Sequence, residues 1–261
     1  MLALPSVSMG FGGLQVLAEV SLTIPARGIF GLIGPNGAGK TTVFNLVTGL
    51  LPPSSGSIDF MGQPMNGMLP YQITRSGIAR TFQNIRIFKE MTLLENVLVA
   101  LGARLSYRGA GIWLPLTSYR NAERQDREMA RDLLAKVGLA DKAERKAGTV
   151  SYGEQRRLEI ARALATEPKL LLLDEPAAGM NRVEKQVLVD EIVKLNRDGL
   201  TILIIEHDMH VIMNLCHEIA VLNFGSLIAI GPPDQIRANP KVIEAYLGLD
   251  NGSQSKLQAT S

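Results

Sequence analysis

The hydrophobic residues of the chain form short runs that alternate with segments of helical periodicity. Runs of strand length cover Ile29 to Ile33, Lys169 to Asp174 and Thr201 to Glu206. Lys40 to Leu50 and Arg182 to Arg197 instead repeat their hydrophobic positions at helical spacing. This alternation predicts an α/β domain with a largely parallel sheet.

Shorter patterned segments predict antiparallel strands beside this core. Val16 to Ile24 and Ser57 to Met61 have the pattern of strands in one antiparallel region. Ile219 to Phe224 and Leu227 to Ile230 flank Gly225-Ser226, a pair that predicts a hairpin with a type II′ turn.

Two parts of the chain differ in composition from this core. Roughly from Phe88 to Ala147, helix-forming residues with dense mixed charge predict an inserted helical subdomain. Its charged run, Arg120 to Lys146, is balanced in sign, which is typical of a solvated helical face. After Leu249 the polar tail Asp250 to Ser261 is expected to fray.

Composition and charge narrow the classes of function. The chain has 261 residues, 46% hydrophobic and 20% charged, which fits one large domain or two small ones and excludes a disordered or collagen-like chain. Its 27 basic and 25 acidic residues leave a net charge of +2, too little to indicate a nucleic-acid binder or a polybasic membrane anchor.

Cysteine usage and hydrophobicity bear on the compartment. The single Cys216 excludes an intramolecular disulfide, and no zinc-ligand spacing occurs, which favours a reducing cytosol. No hydrophobic run is long enough to span a bilayer, and Met1 to Gly10 lacks the pattern of a secretory signal.

A glycine-rich segment between the first predicted core strand and its helix has the phosphate-loop pattern. In such a loop the backbone N–H groups surround phosphates at the positive end of the following helix. Lys40 would reach the β- and γ-phosphates, and the Thr41 hydroxyl would bind Mg²⁺. The alternative is a glycine-rich turn with an incidental lysine. The segment reads Gly34, Pro35, Asn36, Gly37, Ala38, Gly39, Lys40, Thr41, with Thr42 next on the helix.

A second candidate site is the strand Leu170 to Leu173, which ends in the adjacent carboxylates of Asp174 and Glu175. Alone, this pattern fits a buried strand with an acidic end equally well. Together with a phosphate loop, Asp174 becomes a candidate to hold Mg²⁺ through water, and Glu175 a candidate general base for the attacking water.

With Ser151-Tyr152-Gly153-Glu154-Gln155 shortly before that strand, the chain resembles an ABC-type ATPase nucleotide-binding domain over Leu4 to Leu249. The family's L-S-G-G-Q type signature corresponds to Val150 to Gln155, with Tyr152 and Glu154 as departures. In the family it completes the ATP site of the other subunit in a head-to-tail dimer, with Ser151 and Gly153 facing the γ-phosphate. The same residues also fit a helix capping box, and the two interpretations are compatible.

The resemblance implies a P-loop NTPase fold with a RecA-like core, an antiparallel β subdomain and an inserted α-helical subdomain. The ABC ATPase domain would cover residues 1–249, with the helical subdomain at about residues 88–160. ATP and Mg²⁺ would be the cofactors.

Further matches follow the order of the family's motifs. Gln83 is similar to the Q-loop glutamine that touches Mg²⁺ and the attacking water, and His207 to the switch histidine that contacts the γ-phosphate. Phe11, 29 residues before Lys40, is similar to the aromatic residue that stacks on adenine, although a core or turn phenylalanine is the alternative. The implied catalytic residues are Glu175, His207 and Gln83, and the implied metal ligands are Thr41, Gln83 and Asp174.

One departure concerns the D-loop, which in the family usually ends in Asp. This chain has Asn181 there, which keeps hydrogen-bonding capacity but lacks the charge. The change puts communication across the dimer in doubt, and not hydrolysis itself.

Four segments resemble the ATP-binding subunits of bacterial branched-chain amino acid importers: Arg80 to Ala100, Glu175 to Asn181, Glu206 to Met209 and Asn239 to Gly248. The resemblance implies a second ABC ATPase subunit, identical or not, two integral-membrane permeases and, indirectly, a periplasmic solute-binding protein. It implies a peripheral position on the cytoplasmic face of the inner membrane and no nucleic acid. No residue reports the solute.

Two questions stay open at this point. Gly102 to Tyr119, with three large aromatic residues, is either a loop packed on the helical subdomain or a permease contact. The competing functions are a single-cassette soluble ABC ATPase that drives assembly and the ATPase of a lipopolysaccharide exporter. A non-enzymatic nucleotide-binding scaffold is disfavoured by Lys40, Asp174, Glu175 and His207.

Overall fold

The structure, a computed structural model, describes residues 1–105 and 116–246, with the backbone alone at 103–105 and 116–121. It divides into two compact units. Unit 1 comprises Met1–Ile73 and the described residues from Thr201 onward, and unit 2 comprises Thr74–Leu200. The predicted tail Asp250 to Ser261 and the side chains of residues 103–119 lie outside the described residues.

Unit 1 contains a four-stranded antiparallel sheet in the order β2-β1-β4-β5. The longest strands of this sheet are β1 and β2. A register shift between Leu4 and Val7 separates the buried pair Leu2 and Leu4 from the buried pair Val7 and Met9. Ser6 lies in this shift with a φ of 49°, so that Val7 and Met9 face the same side as Leu2 and Leu4. The antiparallel region is therefore confirmed. The strands are β1 (Leu2–Phe11), β2 (Leu14–Ile24), β4 (Asp59–Phe60) and β5 (Gln63–Pro64).

Unit 1 also contains four strands in the order β10-β9-β3-β8. Strand β3 pairs in parallel with β8 and β9, with Gly31 opposite Ile204 and Ile219. All residues of β3 and β8 are buried, as expected for continuous apolar strands covered on both faces. The strands are β3 (Ile29–Ile33), β8 (Thr201–Ile205), β9 (Glu218–Asn223) and β10 (Ser226–Gly231).

The helices of unit 1 are short. Helix α1 (Lys40–Val47) follows β3 and buries Val43, Phe44, Leu46 and Val47. Helices α7 (Met209–Leu215) and α8 (Pro233–Ala238) lie later in the chain, and residues 240–246 are also helical. Helix α2 (Pro70–Ser76) spans the point after Ile73 where the chain passes from unit 1 to unit 2.

The hairpin between β9 and β10 differs from its prediction. Asn223 pairs with Ser226, so Phe224 and Gly225 form the turn, and both have positive φ, 43° and 77°. Two positive values are the requirement of a type I′ turn, so the predicted type II′ turn at Gly225-Ser226 is wrong. The cause is tertiary: a Cβ on Gly225 would lie 2.2 Å from the Val16 carbonyl oxygen, so the backbone of β2 requires glycine there.

Among its described residues, unit 2 combines two parallel strands with helices α3 to α6. Strands β6 (Ile78–Arg80) and β7 (Leu170–Asp174) pair with Ala79 opposite Leu171. Helix α6 begins and ends as predicted, and its buried Leu188, Ile192 and Leu195 lie on one face because they are four and three residues apart. The helices are α3 (Leu93–Leu105), α4 (Leu116–Lys136), α5 (Tyr152–Leu164) and α6 (Arg182–Arg197), with 3₁₀ turns at Ala140–Lys142 and Ala147–Thr149.

Helices α3, α4 and α5 pack on one another within the segment predicted to form the helical subdomain. The boundary of that subdomain at about residues 88–160 stays a prediction, and so does the domain range 1–249.

Candidate nucleotide-binding site

The phosphate loop of unit 1 leaves β3 at Gly34 and enters α1 at Lys40. Gly34 has a φ of 149°, and a Cβ on it would lie 2.1 Å from the Leu222 carbonyl oxygen. No other residue fits here without moving the end of β9, so this glycine fixes the path of the loop.

Lys40 is buried, with 6% of its surface exposed, and its ammonium folds back onto its own loop. Nζ donates to the carbonyl oxygens of Gly34 at 2.7 Å and Pro35 at 2.8 Å. The lysine therefore places a positive charge inside the loop, next to the Gly34 and Pro35 carbonyl groups.

Helix α1 adds backbone donors to that charge. Its N-cap, Gly39, has a φ of 103° and makes no side-chain capping hydrogen bond, and the first turn carries no acidic residue. The N-terminal end of a helix has a partial positive charge, so the loop, Lys40 and α1 together suit a phosphate. Thr41 and Thr42 follow on the first turn of the helix, where their hydroxyl groups are oxygen donors for a cation.

Two predicted residues of unit 1 are presented to solvent. Phe11 is 47% exposed at the end of β1, opposite Leu14 across the hairpin. His207 is exposed two residues after the end of β8, and its backbone N–H donates to the Glu206 carboxylate at 3.0 Å. Asp208 then caps α7 by accepting from the N–H groups of His210 and Val211. Both residues therefore lie at the surface of unit 1.

In unit 2, the carboxylate at the end of β7 is held by an arginine from β6. Asp174 is 4% exposed, and its Oδ2 accepts from Arg80 Nη2 at 2.7 Å. Both side chains are almost fully buried, so this pair depends on its geometry to offset the cost of desolvation. The sequence interpretation of Asp174 did not include this arginine, which lies on the neighbouring strand but 94 residues earlier in the chain.

Glu175 and Gln83, both assigned to catalysis, are in direct contact. Glu175 has a φ of 48°, unusual for a residue with a side chain, and its Oε2 accepts from Gln83 Nε2 at 2.8 Å. Such conformations cost of the order of 1–3 kcal/mol and concentrate at functional sites. The strained backbone turns this carboxylate out of the line of β7 and toward the segment after β6.

The signature segment forms a complete capping box at the start of α5. The Ser151 hydroxyl accepts from the Glu154 N–H, and Glu154 accepts from the Ser151 N–H at 2.9 Å. Glu154 also forms an ion pair with Lys142, and the hydrogen bonds to Ser151 and Lys142 outweigh its partial burial, so its pKa is lowered. The departure at Glu154 therefore has a local structural role, and the predicted capping box is confirmed.

Arg156, which the sequence reasoning missed, links the signature helix to the segment that carries Gln83. It is fully buried, and its guanidinium donates to the carbonyl oxygens of Phe82 and Gln83, to Glu159 at 2.9 Å and to the Tyr152 hydroxyl at 3.3 Å. A charged residue in a charged helix gives no sequence signal of burial.

Among the carboxylates of unit 2, Glu191 has the pKa that departs furthest from its ordinary value. Burial raises its pKa to about 7, although the Arg157 guanidinium, 2.9 Å away, favours the charged form. Its Oε2 is buried without a hydrogen-bond partner among the described residues, which agrees with a destabilised carboxylate. The pair joins α5 to α6.

Comparison with known proteins decides the family. Residues 17–178 match the model of the ABC transporter family. The chain belongs to this family. A second model, described as a branched-chain amino acid ATP-binding cassette transporter, matches residues 226–250 of the cassette.

Several proteins are similar to this cassette over almost its whole length. The high-affinity branched-chain amino acid transport ATP-binding protein BraF of Pseudomonas aeruginosa is 46% identical and covers 95% of this chain and 97% of that protein. The corresponding LivG of Escherichia coli is 45% identical, with 95% and 98% covered. The lipopolysaccharide export system ATP-binding protein LptB of Haemophilus influenzae is 33% identical, with 90% and 91% covered.

Solved structures agree with the fold. An ADP-bound ATP-binding cassette of an ABC transporter is 32% identical, with a TM-score of 0.83 and coverage of 95% of this chain and 98% of that one. A dimeric post-hydrolysis cassette bound to ADP and phosphate is 27% identical, with a TM-score of 0.73 and coverage of 89% and 99%. The predicted P-loop ABC fold is therefore confirmed, and the chain is an ATPase that binds ATP.

The donor chemistry of the predicted metal ligands fits Mg²⁺. Thr41, Gln83 and Asp174 offer hydroxyl, amide and carboxylate oxygens, the hard donors that this ion prefers. Within residues 1–105 and 116–246, no group of three or more His, Cys, Asp or Glu side chains could hold a metal.

A membrane-spanning helix was also sought in the part of the chain that the structure describes. None of its helices combines the length and the apolar character that crossing a bilayer needs.

Proposed function

We propose that this cassette is the ATP-hydrolysing subunit that energises a bacterial importer of branched-chain or related amino acids. The observation that carries the proposal is the 45–46% identity to BraF and LivG over 95% of the chain. The match of residues 226–250 to the branched-chain amino acid transporter model supports it independently of the ATPase motifs. The lower identity of 33% to LptB disfavours a lipopolysaccharide exporter.

In this proposal, unit 1 binds the nucleotide. The backbone N–H groups of the phosphate loop and the start of α1 hold the β- and γ-phosphates, and the Lys40 ammonium exchanges its bonds to Gly34 and Pro35 for bonds to phosphate oxygens. Phe11 stacks on the adenine ring. His207 contacts the γ-phosphate and responds to its loss.

Unit 2 supplies the groups that act on the attacking water. The Glu175 carboxylate accepts a proton from that water, and Gln83, already bonded to Glu175, orients both. Mg²⁺, when bound, neutralises phosphate charge during the transfer. Thr41, Gln83 and Asp174 would hold it, and Asp174 would reach it through water.

The complete motor has two cassettes. Ser151 and Gly153 of this chain would contact the ATP bound by a second cassette, which is either a second copy or a related subunit. ATP binding closes the pair, and hydrolysis reopens it. The closing motion is passed to two permeases, to which a periplasmic solute-binding protein delivers the solute. Because it docks on these permeases, the chain sits peripherally on the cytoplasmic face of the inner membrane.

Identifying the proteins that co-purify with this chain tests the proposal. The tagged full chain is extracted from membranes with mild detergent, purified by affinity, and its partners are identified by mass spectrometry. We expect two integral-membrane permeases and a second cassette. Soluble partners alone would contradict the proposal and favour an assembly ATPase, and membrane partners of a lipopolysaccharide export system would contradict it in favour of that exporter.

A further inference from the structure

The signature serine is already bonded to a carboxylate from the helix that follows the D-loop position. The Ser151 hydroxyl donates to Glu184 Oε1 at 3.1 Å. A Cβ on Gly153 would lie 2.8 Å from the same oxygen. One carboxylate oxygen therefore lies over both signature residues that are proposed to face the γ-phosphate.

The position of Glu184 is fixed by a second capping box. Asn181 caps α6, with its side-chain oxygen accepting from the N–H groups of Val183 and Glu184 at 2.9 and 3.0 Å. Glu184 Oε2 in return accepts from the Asn181 N–H at 3.2 Å. Its two oxygens thus bond to different segments, Oε2 to the start of α6 and Oε1 to the signature.

Hydrogen-bond capacity limits what Ser151 can do in this state. A hydroxyl group has one proton to donate, and Ser151 donates it to Glu184 while accepting from the Glu154 N–H. Phosphate oxygens need donors, and a carboxylate beside them adds like-charge repulsion. The same hydroxyl proton cannot serve the carboxylate and a γ-phosphate at once.

From this conflict we propose that Glu184 is a positioning residue of the signature. It holds Ser151 when no second-cassette ATP is present and releases the hydroxyl when a γ-phosphate arrives. The proposal rests on the proposed function, because it requires that the signature meets the ATP of another cassette. It also gives a role to the departure at Asn181, since the charge missing there is present three residues later, bonded to the signature.

The release has a free-energy cost that opposes ATP-dependent closure. Replacing Glu184 by Gln keeps the shape and an acceptor oxygen but removes the charge, so Ser151 is held less tightly and the repulsion is lost. Because charge-assisted hydrogen bonds are about twice as strong as neutral ones, we expect an apparent KM for ATP about fivefold lower. The kcat should not increase, because a more stable closed state reopens more slowly.

The test uses the full chain in its assembled complex and measures phosphate release against ATP concentration. Glu184→Gln and Glu184→Met should both lower the KM, because neither carries the charge. Asp190→Asn is the matched control and should leave the KM unchanged, because it removes a charge from the same helix at an exposed residue that accepts a hydrogen bond from Gln186. Thermal unfolding of each variant reports any loss of the capping box.

The outcomes separate this inference from the proposed function. A lowered melting temperature with an unchanged KM in both Glu184 variants would show a capping role alone and overturn the inference. A KM lowered equally by Asp190→Asn would also overturn it, because general charge would then be the cause. Phosphate release that persists in Lys40→Ala would instead contradict the proposed function.

Discussion

The side-chain amide of Gln83 donates a 2.8 Å hydrogen bond to the carboxylate of Glu175. The left-handed backbone of Glu175, with a φ of 48°, sets the direction of this side chain. The position of each of these two side chains therefore depends on the other.

Glu175→Gln should separate binding from hydrolysis. Removing the general base should slow phosphate release by roughly 10²- to 10⁴-fold, since that is what positioned acid–base groups contribute. ATP affinity, measured by equilibrium binding, should stay near the wild-type value because the phosphate loop is unchanged. Normal turnover in this variant would remove Glu175 from the role of base.

Gly34→Ala should abolish nucleotide binding. The added methyl group would lie 2.1 Å from the Leu222 carbonyl oxygen at a φ of 149°, so the loop must move away from β9. Gly102→Ala is the matched control, because a Cβ there would meet no atom of the described residues within 4 Å. Equilibrium binding of a fluorescent ATP analogue checks this, and wild-type affinity in Gly34→Ala would show that the loop path is not required.

Arg156→Ala should destabilise the fold strongly. It removes the donor of the Phe82 and Gln83 carbonyl groups and leaves Glu159 buried without its ion-pair partner, a change that typically costs about 3–5 kcal/mol. The matched control is Arg124→Ala, whose exposed ion pair with Glu128 contributes about 0.5 kcal/mol or less. Chemical denaturation measures both, and equal effects would refute the linking role of Arg156.

Stability should depend on pH through Glu191. Its pKa is about 7 in the folded chain and is raised by burial, so the folded state binds this proton more tightly than the unfolded state. The contribution of this proton to the free energy of unfolding is therefore fully present below about pH 4.5 and is lost as pH rises through 7. Relative to Glu191→Gln, the wild type should lose free energy of unfolding between pH 5 and pH 8.

Denaturation curves of the wild type and Glu191→Gln at several pH values check this prediction. A difference that is constant with pH, or that grows in favour of the wild type at high pH, would show that Arg157 keeps Glu191 charged throughout.

The local parts of the fold were predictable from sequence because their causes are local. The phosphate loop between β3 and α1, and helix α6 from Arg182 to Arg197, follow from short-range patterns that the structure reproduces. The turn at Phe224 and Gly225 was misplaced by one residue because its constraint comes from β2, about 200 residues earlier.

The same distinction applies to the site. The phosphate loop was found by its pattern, and Gln83 and His207 by resemblance to the family. Arg80 and Arg156 were missed because their partners are distant in the chain. Glu184 could have been found, since an Asn three residues before a Glu at a helix start is the spacing of a capping box. Its bond to Ser151 could not, because it joins two helices.

Uptake of radiolabelled leucine, isoleucine and valine tests the central claim most directly, in cells whose native gene is replaced by the wild type or by Lys40→Ala. The account predicts uptake with the wild type and almost none with Lys40→Ala, at equal protein levels, with an exposed Lys136→Ala variant behaving as wild type. Uptake of all three amino acids that is unchanged by Lys40→Ala would contradict it.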